Sequence, residues 1–186
     1  MGKILVETCE IEGLKIITPT VYGDSRGYFM EVYNYNDYKA AGIEYNFVQD
    51  NQSASIKGVL RGLHFQVNKP QGKLVRVIKG EVYDVAVDIR KGSKTFGKYH
   101  GVLLSAENKK QFFIPPGFAH GFLVTSEEAE FEYKCTDFYD SSDESGMAYD
   151  DVAIGIEWPF EEGVKLTISD KDKKWGGINE YVKSQK

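Results

Sequence analysis

Residues 130–135 read Glu130-Phe131-Glu132-Tyr133-Lys134-Cys135, and charged and apolar side chains alternate along the whole stretch. Successive side chains of a β-strand point to opposite faces, so this period of two predicts a strand. Phe131, Tyr133 and Cys135 are expected to face a core, while the charged side chains face solvent. Residues 83–88 alternate in a similar way and predict a second strand.

Short strand-like segments continue in both directions from this point. The predicted strands are Leu14–Pro19, Tyr28–Tyr33, Phe47–Ser55, Gly58–Gln66, Lys73–Ile78, Val82–Ile89, Val102–Leu104, Gln111–Ile114, Gly121–Thr125 and Glu128–Cys135. A short helix is predicted at Asp37–Ala41, capped by Asn34 or Asn36. After Tyr139 we expect a polar loop, an extended segment at Ile154–Pro159 and a charged tail that can form a helix. Regular strand spacing with tight turns predicts an all-β antiparallel barrel or jelly roll with short peripheral helices.

The bulk composition is that of a folded protein. The chain has 186 residues, 41% hydrophobic and 13% aromatic, and its formal net charge is −5. We therefore expect one domain spanning residues 1–186. The acidic charge argues against a nucleic-acid partner, although a few local Arg and Lys residues are enough to bind a small anion.

The cysteines and the apolar segments indicate a cellular location. Only Cys9 and Cys135 occur, which argues against a disulfide framework and favours a reducing compartment. No run of about 18 apolar residues is present, and Met1–Glu7 is too short for a signal peptide. We expect a soluble cytoplasmic protein with no membrane contact.

Three segments place polar side chains within otherwise apolar strands: Gln49-Asp50-Asn51, Arg61–Gln66 and Pro115–Gly121. Burying such groups costs free energy unless they are paired. Two of the three histidines lie in these segments, whereas the third, His100, is expected at the surface. The polar groups are therefore predicted to converge on a cavity, which indicates an enzyme or a ligand-binding protein.

The spacing of Pro115–His120 matches the second motif of metal-binding double-stranded β-helix (cupin) proteins. The first motif of those proteins requires two histidines and an acidic ligand, but here His64 is followed by Gln66 and no acid has the required spacing. Two imidazoles and an amide are a poor transition-metal site, so a cupin barrel without a metal is predicted. Gly92–Lys98 has phosphate-loop spacing, but Tyr99 follows it and no helix is indicated, so a turn explains it better.

From the residues alone, His64 is the candidate general base, because imidazole titrates near neutral pH and needs a carboxylate to fix its tautomer. Strict alternation would put Arg61 and His64 on opposite faces, so both can line one cavity only if Gly62 permits a bulge. An inward-facing Tyr133 is usually a core residue, and Lys73 at a strand start is usually solvated.

Several longer motifs occur in one order along most of the chain. They are Asp24–Glu31, Phe47–Asn51, Gly58–Gln66, Pro70–Arg76, Asp84–Arg90, Pro116–Phe122, Tyr133–Thr136 and Ser169–Asp172. Together they resemble the dTDP-4-dehydrorhamnose 3,5-epimerases, which are cupin-type sugar-nucleotide epimerases. The stretch Ser145–Tyr149 departs from the sequence usual in that family, so contacts near Glu144 are less securely transferred.

The resemblance implies specific roles. His64 would remove the C3 and C5 protons, Asp172 would orient it, Tyr133 would return a proton from the opposite face, and Lys73 would stabilise the enolate at O4. The positions that match substrate-binding residues are Arg26, Glu31, Gln49, Asp50, Asn51, Arg61, His120, Glu144 and Lys171, with Tyr139 stacking on thymine. The resemblance further implies no metal or organic cofactor, and a homodimer whose N-terminal segment contributes to the neighbouring site.

The expected reaction is epimerisation of dTDP-4-dehydro-6-deoxy-D-glucose at C3 and C5 to dTDP-4-dehydro-L-rhamnose, in dTDP-L-rhamnose biosynthesis. Three alternatives remain open at this point. A related enzyme could act at C3 alone or on another deoxysugar nucleotide, a cupin could bind sugar nucleotides without catalysis, or a cupin oxygenase could use a metal.

Overall fold

Short antiparallel strands dominate the computed structural model, which describes residues 4–184. The strands are β1 (Ile4–Thr8), β2 (Lys15–Pro19), β3 (Val21–Asp24), β4 (Gly27–Met30), β5 (Gln49–Ile56), β6 (Leu60–Gln66), β7 (Lys73–Lys79), β8 (Glu81–Asp88), β9 (Tyr99–Ser105), β10 (Gln111–Ile114), β11 (Phe118–Val124), β12 (Glu128–Cys135) and β13 (Glu144–Gly146). The helices are α1 (Tyr35–Ala40), α2 (Ile178–Ser184) and a 3₁₀ turn at Asp172–Lys174.

Two sheets face each other. One has the order β1-β2-β10-β7-β12-β5 and the other has the order β13-β6-β11-β8-β9, while β3 and β4 form a separate hairpin. Val75 and Phe131 of the first sheet pack with Ala86 and Phe122 of the second in a common apolar core. The rings of Phe122 and Phe131 stack with centroids 4.2 Å apart. This arrangement confirms the predicted all-β jelly roll with short peripheral helices.

The outer faces of both sheets are also covered. Helix α1 places the fully buried Tyr38 against the six-stranded sheet, and the chain after β13 packs Met147 and Trp158 against the five-stranded sheet. Strand β8 is therefore buried on both faces. Asp84 and Asp88 are 0% exposed, so their alternation with apolar residues does not mark a solvent face.

Most predicted strands are present with shifted bounds, but β1, β3 and β13 were not predicted. The strand predicted at Tyr28–Tyr33 ends at Met30, and Ile154–Pro159 is not a strand. Helix α1 begins after Asn34, whose side chain accepts a 3.0 Å hydrogen bond from the Asn36 backbone N–H, and the predicted helical tail contains α2.

Two other sequence expectations concern exposure. His100 was predicted at the surface, but it is half-buried, with its ring centroid 5.8 Å from that of Phe112. Within residues 4–184, no helix combines the length and the hydropathy needed to cross a membrane.

Gly62 confirms the bulge that the sequence required. Between β6 and β11, His64 pairs with His120 and Arg61 pairs with Phe122, so β6 has one more residue than β11 over this interval. The extra residue brings Arg61 and His64 to the same cavity. Gly62 has φ +129°, and a Cβ built there would lie 2.5 Å from the Cα of Gly121.

We expect Gly62→Ala to lower the free energy of unfolding by about 3 kcal/mol, because left-handed backbone strain adds to overpacking against β11. Gly27→Ala is the matched control, since Gly27 has φ +130° but no atom within 4 Å of its built Cβ. The control should lose only about 1–2 kcal/mol. Urea unfolding of both variants measures the difference, and equal losses would contradict the steric explanation.

Candidate active site

A cavity of about 820 Å³ opens between the two sheets. A second cavity of about 80 Å³ adjoins it and shares six of its lining residues: His64, Gln71, Lys73, Tyr133, Tyr139 and Glu144. The predicted site residues that line the larger cavity are Gln49, Asn51, Arg61, His64, Lys73, His120, Tyr133, Tyr139, Glu144, Lys171 and Asp172. The fold therefore brings most of the predicted site together.

His64 is held by a buried carboxylate. Its Nε2 lies 2.7 Å from Oδ1 of Asp172, whose side chain is 3% exposed. An ionised carboxylate can only accept a hydrogen bond, so Nε2 carries the proton and the neutral ring keeps its lone pair on Nδ1. Burial by itself raises the pKa of Asp172, but the hydrogen bond with His64 and the charge of that ring outweigh burial, and the pKa lies below its ordinary value. Asp172 therefore stays ionised and fixes the tautomer of His64.

The local backbone holds Asp172 in place. Its N–H donates to Oγ of Ser169 at 3.0 Å, and its carboxylate also lies 3.4 Å from the Gly62 N–H and from the Trp175 indole N–H. The 3₁₀ turn that begins at Asp172 is thus tied to β6 at the bulge. His64 on β6 and Asp172 in the 3₁₀ turn are far apart in sequence, but their elements meet at the bulge.

Tyr133 and Lys73 come from the opposite sheet. Strands β12 and β7 are neighbours, and the Lys73 ammonium lies 6.0 Å from the Tyr133 ring centroid. Burial raises the pKa of Tyr133 to about 12, so its phenol is protonated at neutral pH. Burial lowers the pKa of Lys73, which is a cavity residue rather than the solvated lysine that its position suggested.

His120 is paired with an aspartate that sequence reasoning missed. Its Nε2 lies 2.9 Å from Asp84 Oδ2, and both residues are buried. Burial lowers the pKa of His120, while the carboxylate of Asp84 opposes that shift. The available signal was an acid in the middle of an apolar strand, but its alternation resembled that of a solvent-facing residue.

The mouth of the cavity carries a chain of polar contacts. Glu144 accepts hydrogen bonds from the Tyr139 hydroxyl at 2.8 Å and from the Lys171 ammonium at 2.7 Å. Gln49 donates to Asn51 at 3.0 Å and accepts from the Tyr139 N–H at 2.9 Å. These bonds fix the position of the Tyr139 ring at the edge of the cavity.

Arg61 supplies a cation without a carboxylate partner among residues 4–184. Its guanidinium donates to Oγ of Ser55 at 3.0 and 3.1 Å, and its side chain lies at the cavity. Arg61 can therefore form a bidentate contact with a phosphate group.

Three predicted binding residues do not line the cavity of their own chain. Asp50 faces outward on β5 and pairs with Lys134 at 2.9 Å, so its side chain lies on the face opposite Gln49 and Asn51. Arg26 lies at the tip of the exposed β3–β4 hairpin, where it pairs with Asp24 at 2.6 Å. Glu31 accepts a hydrogen bond from Asn34.

In the described part of the chain, no three His, Cys, Asp or Glu side chains are close enough to hold a metal ion. His64 and His120 each bond to a carboxylate of their own. The cavity brings together imidazole, phenol, carboxylate and cationic side chains.

Comparisons with known proteins identify the family of this chain. Residues 8–180 match the family model described as dTDP-4-dehydrorhamnose 3,5-epimerase. The chain belongs to the dTDP-4-dehydrorhamnose 3,5-epimerase family. The family relative from Methanothermobacter thermautotrophicus is 56% identical over 170 residues, which are 91% of this chain and 92% of the relative.

Solved structures share the fold. The dTDP-6-deoxy-D-glucose-3,5-epimerase from Legionella pneumophila, in complex with dTDP-4-keto-L-rhamnose, is 51% identical with a TM-score of 0.92 and covers 95% of this chain and 93% of its own. A 3′-monoepimerase from Streptomyces bikiniensis, in complex with dTDP-quinovose, is 28% identical with a TM-score of 0.89 and covers 96% and 90%. The predicted cupin fold is therefore confirmed, and this chain is an isomerase of dTDP-L-rhamnose biosynthesis.

We expect Asp172→Asn to lower the kcat of the epimerase by about 100-fold or more, because the amide would donate to Nε2 and move the ring proton to Nδ1. The KM should change little, since Asp172 acts through His64. Asp170→Asn is the control, because Asp170 is 92% exposed and pairs only with Lys173 among residues 4–184. Steady-state kinetics of both variants measures the effect. Equal kcat values would show that Asp172 does not contribute to catalysis.

Proposed function

We propose that this chain epimerises dTDP-4-dehydro-6-deoxy-D-glucose at C3 and C5, with His64 as the base, Tyr133 as the acid and Lys73 as the cation at O4. The observation that carries these roles is the placement of His64, bonded to Asp172, on one sheet and of Tyr133 and Lys73 on the facing sheet. A hexose between the sheets would meet a base on one side and an acid on the other.

The first step is proton removal beside the ketone. A C–H next to a carbonyl is acidic because its anion delocalises onto the carbonyl oxygen, and a cation at that oxygen lowers the barrier further. Lys73 suits this role, because its ammonium makes no ion pair or hydrogen bond with residues 4–184 and faces the cavity. His64 Nδ1 accepts the proton while Asp172 stabilises the imidazolium that forms.

Inversion requires a proton on the opposite face. A Tyr133 phenol with a pKa of about 12 holds its proton until the enolate, a stronger base, needs it. The imidazolium of His64 then releases its proton to solvent and the phenolate of Tyr133 takes one up, so the same two groups can act again at C5. Double epimerisation therefore needs no additional acid or base.

The nucleotide occupies the polar end of the cavity in this proposal. Arg61 and Lys171 are the cations suited to the diphosphate, and the exposed Tyr139 ring offers a surface for the thymine. Gln49 and Asn51 contribute amide groups to the same wall. The net negative charge of the chain does not prevent this, because the relevant cations are local.

Proton exchange in deuterated solvent tests the reaction. Wild-type enzyme should place deuterium at both C3 and C5 of the substrate, as read by NMR, because each inversion passes through an enolate. Label at C3 alone would instead assign a 3-epimerase, the activity named for the Streptomyces bikiniensis relative. Absence of any exchange would indicate a sugar-nucleotide-binding protein without catalysis.

Tyr133→Phe separates the acid from the base in the same assay. Deuterium should still exchange into the substrate through His64, while net inversion falls by about 100-fold or more, since only the acid is lost. The half-buried ring is retained, so the fold should be unaffected. Inversion at the wild-type rate would show that another group is the acid.

We propose that two chains form a homodimer and that the β3–β4 hairpin of each reaches the cavity of the other. The hairpin pairs with no other strand in the described range and exposes Tyr28 and Phe29 at 59% and 62%. Arg26 and Glu31, which match binding positions but lie away from the cavity of their own chain, would then serve the neighbouring site. Each chain acts as one domain of residues 1–186, and its free cysteines suit the reducing cytoplasm.

Complementation tests the shared site. Arg26→Ala and His64→Ala should each lose most activity, but mixing the two denatured variants and refolding them together should restore about a quarter of wild-type activity, because half of the dimers are mixed and each has one intact site. Each variant denatured and refolded alone is the control. A mixture that stays inactive would show that Arg26 and His64 act in the same chain, or that Arg26 is not shared.

A further inference from the structure

We propose that Gln71 is a substrate-binding residue whose side-chain oxygen accepts a hydrogen bond from an N–H or O–H group of the bound nucleotide sugar. The proposal rests on the function proposed above and adds a residue to the site. It follows from the position of Gln71 on the cavity wall, from the orientation of its amide, and from the oxygen of that amide, which accepts no hydrogen bond from residues 4–184.

Gln71 precedes Lys73 by two residues and lies on the same wall of the cavity. The Thr136 N–H donates to the Gly72 carbonyl at 3.0 Å, which continues the pairing of β7 with β12 beyond Lys73 and Cys135. Alternate residues of an extended segment share a face, so Gln71 and Lys73 point to the same side. In agreement, both line the larger and the smaller cavity.

One hydrogen bond fixes the orientation of the Gln71 amide. Its Nε2 donates to the backbone carbonyl of Asp137 at 2.7 Å. A carbonyl oxygen only accepts, so the atom facing Asp137 is the NH₂ group and the amide oxygen occupies the other side. The orientation of Gln71 is thus determined by its partner.

The Gln71 oxygen accepts no hydrogen bond from residues 4–184. It is also not enclosed, because Asp37 Oδ2 is the one side-chain oxygen or nitrogen within that range that is buried without a partner. An accessible acceptor at a cavity wall, beside the groups that act on the hexose, is available to a ligand. When the ligand excludes water, a substrate donor opposite this oxygen needs it as a partner.

Gln66 shows the contrast with a structural glutamine. Its Nε2 donates to the carbonyls of Lys69 and Phe138 at 2.8 and 3.3 Å, and its oxygen accepts from the Asp140 N–H at 2.8 Å. The amide of Gln66 is therefore satisfied inside the protein and ties two loops together. Gln71 has the same side chain but keeps its acceptor free.

Two parts of the nucleotide sugar carry donors of the required chemistry: the nucleoside, through the thymine imide N–H and the deoxyribose 3′-hydroxyl, and the hexose, through its hydroxyls. Gln71 lies between Lys73 and the segment that leads from Asp137 to Tyr139, so the proposed binding mode would bring both parts of the ligand to the cavity that it lines. The experiment separates these two sources.

Gln71→Met removes the amide while keeping the length of the side chain. We expect the variant to bind dTDP-glucose about 5- to 100-fold more weakly in calorimetric titration, the range for leaving one buried donor unpaired, and to raise KM to a similar extent with kcat little changed. If dTDP alone is weakened by the same factor, the donor is on the nucleoside, either the thymine imide or the deoxyribose hydroxyl. If only dTDP-glucose is weakened, the donor is a hexose hydroxyl.

Gln52→Met is the matched control, because Gln52 is exposed on the outer face of β5 and bonds to Glu130. It should bind both ligands as wild type does. The proposal is overturned if Gln71→Met binds both ligands as tightly as wild type, or if its kcat falls while its affinity is unchanged, since Gln71 would then act by positioning Lys73 or Tyr139. Thermal unfolding of the free variants separates lost binding from lost folding.

The proposed function is tested independently of Gln71. Deuterium exchange in the wild type decides whether the chain epimerises, and the titrations need no turnover. A wild type that binds dTDP-glucose but exchanges no proton would refute the epimerisation and leave the Gln71 contact open to measurement. If the wild type is catalytically active and the Gln71→Met variant binds both ligands as tightly as wild type, only the Gln71 contact is refuted.

Discussion

Gly62 and Gly121 bring β6 and β11 so close together that a side chain on Gly62 would meet the neighbouring backbone at 2.5 Å. The site depends on this approach in two ways. The bulge turns Arg61 and His64 to one face, and the Gly62 N–H contributes to holding the Asp172 carboxylate. A residue with a side chain at position 62 would push the strands apart. The positions of His64, Asp172 and Arg61 therefore depend on the same steric constraint.

Charged and polar groups in the cavity are stabilised by unequal means. His64 and His120 each have a carboxylate, and burying these pairs is tolerable because their hydrogen bonds are made. Lys73 has no such partner in the described residues, and its lowered pKa reflects the cost of keeping a cation there. In the proposed reaction, negative charge that develops on the substrate oxygen would offset that cost, and the interaction would be stronger in the transition state than in the ground state.

Alternation at residues 130–135 predicted β12 and the inward face of Tyr133, because local sequence alone determines which side of a strand a residue occupies. Pairing between distant segments is not encoded in this way. Glu144–Gly146 contains no strong strand former and becomes β13 only because it pairs with β6. Asp84 was overlooked for a related reason: an acid between apolar residues looks solvent-facing until another layer is known to cover that face.

The assigned roles came from motif resemblance, and the structure distinguishes among the assigned residues. Gln49 and Asn51 line the cavity while Asp50, between them, points away, as alternation on β5 requires. Adjacent residues of a strand cannot both face the lumen without a bulge. The motif as a whole therefore identifies the strand, whereas the side-chain direction decides which of its members meet a ligand directly.

Rigidity differs between the catalytic centre and the mouth. The carboxylates that orient His64 and His120 are 3% and 0% exposed, so these rings are held by interactions that water screens little. At the mouth, Lys171 and Glu144 are 50% and 13% exposed, and the Arg26–Asp24 pair at the hairpin tip is 87% and 53% exposed. An ion pair as exposed as Arg26–Asp24 contributes little net stability, so exchanging it for contacts with a diphosphate would cost little. In the proposed complex the nucleotide would change such surface contacts, while the buried carboxylates keep His64 and His120 in position.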